Sequence, residues 1–130
     1  MKHSIIKITL FFSLLLTVSF ALTSCQTLEP VPEGLTAKQL IQKGQDSYNT
    51  GNYPQSLRYY NAVLERFSDE DLPLYIEAKY EIGHIYMKQK QYSYAKPVFE
   101  EILDIYSKVI PGEIPAAYKK LSEIELEKIP

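Results

Sequence analysis

Few residues in this chain could do chemistry. There is one cysteine, Cys25. A lone thiol excludes a disulfide framework, a cysteine-rich zinc site and a Cys-x-x-Cys redox pair. There are two histidines, and one of them is His3. A metal cluster or a histidine-based triad would have to be built on His84 alone, and His84 reads as an ordinary helix residue. Glu100-Glu101 and Asp69-Glu70-Asp71 read as solvated faces rather than acid–base pairs. No Gly-rich phosphate loop is present. The expectation is a protein that is not an enzyme, with no catalytic residue, metal site, cofactor or small-molecule substrate. A small envelope enzyme or solute-binding lipoprotein is the alternative, and a deep pocket with converging polar groups would favour it. Lys plus Arg number 14 against 16 Asp plus Glu. That balance leaves no polybasic arm for nucleic acid.

The chain begins in a different material from the rest. Lys2, His3 and Lys7 form a short basic start, and residues 8–22, ITLFFSLLLTVSFAL, form an apolar run. A positive start followed by an apolar stretch is the pattern of a secretory signal. No charge occurs from Ile8 to Leu28. A run of about 20 residues can also span a bilayer, so a membrane-spanning anchor is the competing reading. Leu22-Thr23-Ser24-Cys25 closes the run, and this sequence resembles the lipobox of bacterial lipoproteins.

The resemblance implies that residues 1–24 are a signal peptide and that Cys25 is lipidated and becomes the first residue. Two or more acyl chains, such as a diacylglycerol and a palmitate, anchor a protein stably where one does not. The processed chain would carry 12 basic and 16 acidic groups, a net charge of −4. Residues 25–35 would be the lipidated Cys25 and a tether, with Pro30, Pro32 and Gly34 opposing helix. Ten tether residues reach at most about 33 Å. Gln26, rather than Asp, after the lipidated residue implies the outer membrane, on its periplasmic side, under the sorting rule common in that family.

From Leu35 the spacing is helical throughout. Thr36 and Gln39 form a capping box, and Leu35 and Leu40 a hydrophobic staple. The first helix is expected over about 37–50. Pro54 opens a second helix, with Leu57, Tyr60, Leu64 and Phe67 on one face. Pro73 opens a third, with Leu74, Ala78, Ile82, Ile85 and Tyr86. A fourth carries Ala95, Val98, Phe99, Ile102, Leu103 and Tyr106 and ends at Pro111-Gly112. A fifth begins near Glu113 and places Ala117, Leu121 and Ile124 on one face. Nothing alternates with period two over a strand length, so the class is all-α. Pro97 fits poorly inside the fourth helix, and Lys90 falls where the first hairpin has Gly51.

A shift of 39 residues superposes the first helical hairpin on the second. Gly44 meets Gly83, Tyr53 meets Tyr92, Tyr60 meets Phe99, Leu64 meets Leu103 and Phe67 meets Tyr106. A second shift sets Leu121, Ser122 and Ile124 under Ile82, Gly83 and Ile85. Units of this kind bury their apolar faces only by stacking. The unit, best in Ile82-Gly83, Tyr86, Tyr92, Ala95 and Phe99, resembles the tetratricopeptide (TPR) repeat. The resemblance implies a helical-hairpin repeat domain over 36–128, of about two and a half repeats. It also implies a protein–protein interaction module.

Tyrosine is abundant, with 11 residues and no Trp. Tyr53, Tyr60, Tyr86, Tyr92 and Tyr106 suit the repeat core. Tyr48, Tyr59, Tyr75, Tyr80 and Tyr94 fall off the main apolar stripes, where an exposed Tyr favours contact with a partner. In this repeat family the first helices of each hairpin line the concave face. Tyr80, His84 and Lys88 recur at a spacing of four on that face and are the candidate partner-binding residues. The paired Lys and Asn of repeats that clamp a peptide carboxylate are missing. The whole is similar to BamD-like repeat lipoproteins of outer-membrane assembly and to the pilotins. The expected partners are proteins of the cell envelope.

Overall fold

The computed structural model describes residues 28–68 and 70–130. Cys25 and the signal peptide expected over residues 1–24 lie outside the described residues. The described residues form five helices: α1 Ala37–Asn49, α2 Tyr53–Arg66, α3 Leu72–Lys88, α4 Tyr92–Lys108 and α5 Ala117–Glu127. They contain no strand. Consecutive helices pack on one another, as short connections between antiparallel neighbours require. The fold is all-α, two helical hairpins followed by a single helix.

Local chemistry sets the ends. Thr36 caps α1 in a complete capping box, with the Gln39 amide donating to its hydroxyl and the Thr36 amide donating to Gln39 Oε1 at 2.9 Å. Asn52 and Asp71 cap α2 and α3 through the Gln55 and Leu74 amides. The two hairpin turns use the same left-handed geometry, φ 76° at Gly51 and φ 58° at Lys90. Lys90 therefore holds a conformation that suits glycine. α4 starts at Tyr92, with Gln91 in the cap position but making no side-chain cap bond. Pro97 consequently lies inside α4 and deprives Ser93 of a helical donor.

The close crossings fall at the two repeat glycines. A Cβ on Gly44 would sit 2.7 Å from the Tyr60 ring, and one on Gly83 would sit 2.7 Å from the Phe99 ring. Tyr60 and Phe99 are both fully buried. Ser56 takes the place that Ala95 fills in the second hairpin, and its buried hydroxyl donates to the Gly44 carbonyl at 2.7 Å. That bond satisfies a group that would otherwise be costly so deep in the core.

Two apolar clusters result. One joins α1, α2 and the near face of α3 through Leu40, Tyr60, Val63, Ala78, Ile82 and Ile85. The other joins the far face of α3 to α4 and α5 through Ile76, Tyr80, Phe99 and Ile102. α3 thus buries one stripe toward the first hairpin and another toward α4 and α5.

The fifth helix differs from the expectation in two ways. It begins at Ala117 rather than near Glu113. Pro115 disfavours helix at Ile114, which turns inward and is buried in the second cluster. The Tyr106 hydroxyl donates to the Pro115 carbonyl and fixes this connection. The stripe of Ala117, Leu121 and Ile124 is also not the buried one: Leu121 is 38% exposed, while Ser122 and Glu125 are buried. The packed set is Tyr118, Ser122, Glu125, Leu126 and Ile129. That is a roll of one residue, about 100°. α3 has helices packed on both sides, α1 and α2 on one and α4 and α5 on the other, and needs two buried stripes. α5 has a neighbour on one side only and buries one.

The segment before α1 is docked rather than free. The Gln55 side chain accepts from the Glu29 amide at 2.9 Å and donates to the Glu29 carbonyl at 3.0 Å. Arg66 donates to the Pro32 carbonyl at 2.8 Å. Val31 and Leu35 pack against the first cluster. Residues 29–35 therefore do not add the reach expected of an open tether.

Candidate functional site: a polar seam across three helices

The most concentrated polar chemistry in the described residues lies along α3, between α1 and α5. Positions 77, 80, 81 and 84 follow helical spacing and share one face, so Glu77, Tyr80, Glu81 and His84 stand side by side. The Tyr48 hydroxyl of α1 is 3.2 Å from His84 Nε2. On the other side His84 Nδ1 faces Glu125 Oε1 of α5 at 4.0 Å. Lys128 holds the same carboxylate oxygen at 2.8 Å. A continuous line of polar groups thus crosses the first helix of each hairpin and the final helix.

Aromatic rings floor the line. Tyr80 stacks on His84 with ring centroids 6.1 Å apart, and it meets Tyr118 at 5.4 Å and Phe99 at 5.8 Å. Tyr48 also leans on Tyr53 at 5.4 Å.

The electrostatics follow from burial and from clustered acids. Burial pushes the Glu81 carboxyl above its ordinary value, and the nearby Glu77 adds to the rise. Glu77 is raised by burial and then by Asp71. Neither forms an ion pair among the described residues. The Tyr80 phenol is pushed up to about 12 by burial and by the charges of Glu125 and Glu81. Tyr118 reaches about 12 through burial and the Glu77 and Glu81 charges. Among the described residues, three buried side-chain polar atoms have no hydrogen-bond partner: the Tyr60 hydroxyl, His84 Nδ1 and the Ser122 hydroxyl. The seam can accept hydrogen bonds through two half-buried carboxylates and donate through phenols. It contains no activated nucleophile.

The structure separates the three residues expected to bind a partner. Tyr80 is not on an exposed face; it is 8% exposed and belongs to the second core cluster. The cause is α5, whose Tyr118 covers it. His84 is half-buried within the seam, and Lys88 is exposed at the end of α3. Of the five tyrosines placed off the apolar stripes, Tyr59 is buried and Tyr94 is 62% exposed. Tyr48 and Tyr75 are half-buried. Tyr48 was among the tyrosines set apart for partner contact, and the seam residues that sequence reasoning missed are Glu77, Glu81, Tyr118 and Glu125. The spacing of Glu77, Glu81 and His84 was a usable signal. Tyr48 and Glu125 are brought in only by packing. Cys25 lies outside the described residues.

Clefts lie elsewhere. One of about 510 Å³ runs between Pro30 and Val31 and the outer side of α2, past Arg58 and Arg66. Another of about 190 Å³ is lined by Tyr106, Ile110, Ile114 and Lys119. No group of three or more metal-ligating side chains occurs among the described residues. No helix among them is long and apolar enough to cross a membrane.

No family model matches the chain, and no solved structure matches it. Over 110 residues the chain is 34% identical to an uncharacterized protein of Treponema pallidum (strain Nichols). The match covers 85% of this chain and 44% of that relative, so the chain spans less than half of the relative's length.

Proposed function

We propose that this chain is a lipid-anchored bacterial lipoprotein, held at Cys25, whose TPR-like domain binds a protein partner in the cell envelope. The placement is outside the cytoplasm, at the periplasmic side of the outer membrane, as one subunit of an envelope assembly. The anchor rests on Leu22-Thr23-Ser24-Cys25 at the end of the apolar run. The binding role rests on the seam. The half-buried carboxylates of Glu77 and Glu81, neither in an ion pair among the described residues, stand beside half-buried His84 on one face of α3. Such groups gain most when a second surface supplies the missing hydrogen bonds.

Two measurements test the parts separately. In cells fed a clickable fatty acid, the wild-type chain takes up label and Cys25→Ala does not; equal labelling, or none, removes the anchor. A photo-crosslinking residue placed at Glu81 in intact cells gives a discrete protein adduct, whereas one at Glu100 on α4 does not. Absence of an adduct at position 81, with the protein present and folded, removes the seam as the binding surface.

A further inference from the structure

The docked segment before α1 fixes more than its own path. Glu29 is bonded to Gln55, in the first turn of α2, and Pro32 to Arg66, at its last residue. The strap therefore runs along α2 from its N-terminal to its C-terminal end. Leu28 leaves the molecule at the end where α1 turns into α2. Gln55 is 5% exposed, so both of its bonds to Glu29 are sheltered from water. Between Cys25 and Glu29 lie four peptide steps, about 14 Å when fully extended.

The same end collects a second turn. Tyr48, near the end of α1, touches His84, near the end of α3, and His84 faces Glu125, near the end of α5. The three helices are therefore parallel, and the α1–α2 and α3–α4 turns share one edge. Residues 49–52 are Asn-Thr-Gly-Asn and residues 88–91 are Lys-Gln-Lys-Gln, with no carboxylate in either turn, and the last turn of α5, with exposed Glu127, ends on the same edge. Lys88 and Lys90 are exposed and form no ion pair among the described residues. Near them Tyr94 is 62% exposed, and Leu28 is 47% exposed. The opposite edge carries Glu70, Asp71 and Glu113 together with Lys38, Arg66, Lys108 and Lys119.

We propose that the edge bearing the α1–α2 and α3–α4 turns lies against the lipid surface, with the strap on α2 fixing that attitude. This rests on lipidation of Cys25. Exposed lysines, amides and a tyrosine suit the head-group layer, where amphipathic rings and cations settle. A bilayer brought to within about four residues of the strap meets this edge before any other. The opposite edge then points away from the lipid.

The chain has no Trp, so one introduced Trp reports a single position. The chain beginning at Cys25 is coupled through its one thiol to maleimide-bearing phosphatidylcholine vesicles that also carry a nitroxide head-group quencher. Gln91→Trp is quenched several-fold more than Glu70→Trp. Equal quenching, or the reverse order, overturns the proposal. Shielding of the position-91 Trp from aqueous iodide without head-group quenching also overturns it, because the edge is then covered by a second copy of the chain.

The strap is tested by Gln55→Ala with Arg66→Ala, and separately by a Gly-Ser insertion after Leu28 that leaves the α2 bonds intact. Either change removes most of the difference between the two Trp positions while far-UV circular dichroism stays unchanged. A difference that persists in both overturns the role of the strap. The coupling is chemical, so failure of fatty-acid labelling in cells would count against the biological anchor alone.

Discussion

At the scale of single residues the balance lies between close packing and sheltered charge. Gly83 sits where an added methyl would strike Phe99 at 2.7 Å and Val98 at 3.2 Å. In an open helix Gly→Ala gains about 1 kcal/mol. Here Phe99 is fully buried and cannot give way, so Gly83→Ala should instead cost roughly 1–3 kcal/mol. Urea unfolding measures this, and adding Phe99→Leu should recover part of the loss. A gain in stability for the single variant would contradict the close crossing. Glu81 behaves in the opposite sense. Burial and Glu77 raise its carboxyl above the ordinary 4.5. Its contribution is therefore fully present below that value and is lost as pH rises through the folded-state value. Glu81→Gln should raise the melting temperature at neutral pH, and the gain should vanish below pH 4.5. A gain that stayed constant with pH would place its origin in packing rather than in charge.

At the scale of elements, the two hairpins are one design with local substitutions. Their turns share the left-handed residue, Gly51 in one and Lys90 in the other. A side chain in that conformation costs roughly 1–2 kcal/mol. Lys90→Gly should recover about 1 kcal/mol in thermal unfolding, less what Gly costs in the unfolded chain. Gly51→Ala should lose a similar amount. Equal stability for Lys90→Gly and wild type would mean that contacts of the lysine stem offset the strain. The exchange of Ala95 for Ser56 shows another kind of compensation. A polar group enters the core and is met by the carbonyl of the glycine it crosses. α4 tolerates Pro97 because its ring is exposed and only one helical bond is lost.

At the scale of the whole molecule, α3 is the shared wall and α5 closes the stack. Tyr80 is covered from the α5 side by Tyr118, and Leu126 and Ile129 complete the second cluster. A chain ending before Ala117 would expose that wall. Losing three partly buried apolar side chains should cost roughly 3–5 kcal/mol, a large share of the 5–15 kcal/mol typical of a domain. Residues 28–116 should therefore melt far below the full domain and bind a hydrophobic dye. An unchanged melting temperature would mean that α5 is an appendage rather than a cap.

Helix class, helix order and the register of the two hairpins were legible in the sequence because they depend on neighbours in the chain. The spacing of 39 aligned Gly44 with Gly83 and Tyr60 with Phe99, and in the structure Gly44 crosses Tyr60 as Gly83 crosses Phe99. Turn and cap residues such as Thr36 and Gly51 act within a few positions and could be read directly. The roll of α5 could not be read. Both of its stripes are apolar enough to bury, and the choice depends on there being one neighbour rather than two. Tyr80 looked exposed for the same reason: a spacing of four defines a face but not what covers it. The seam depends on Tyr48, His84 and Glu125, which are far apart in the chain and meet only because α1, α3 and α5 lie parallel. The strap was hidden too, since Pro30, Pro32 and Gly34 oppose helix but cannot show that Gln55 and Arg66 will hold their backbone. Local preference fixes what each segment is. Packing decides which surface each segment keeps, because only the tertiary structure determines which groups are left facing water.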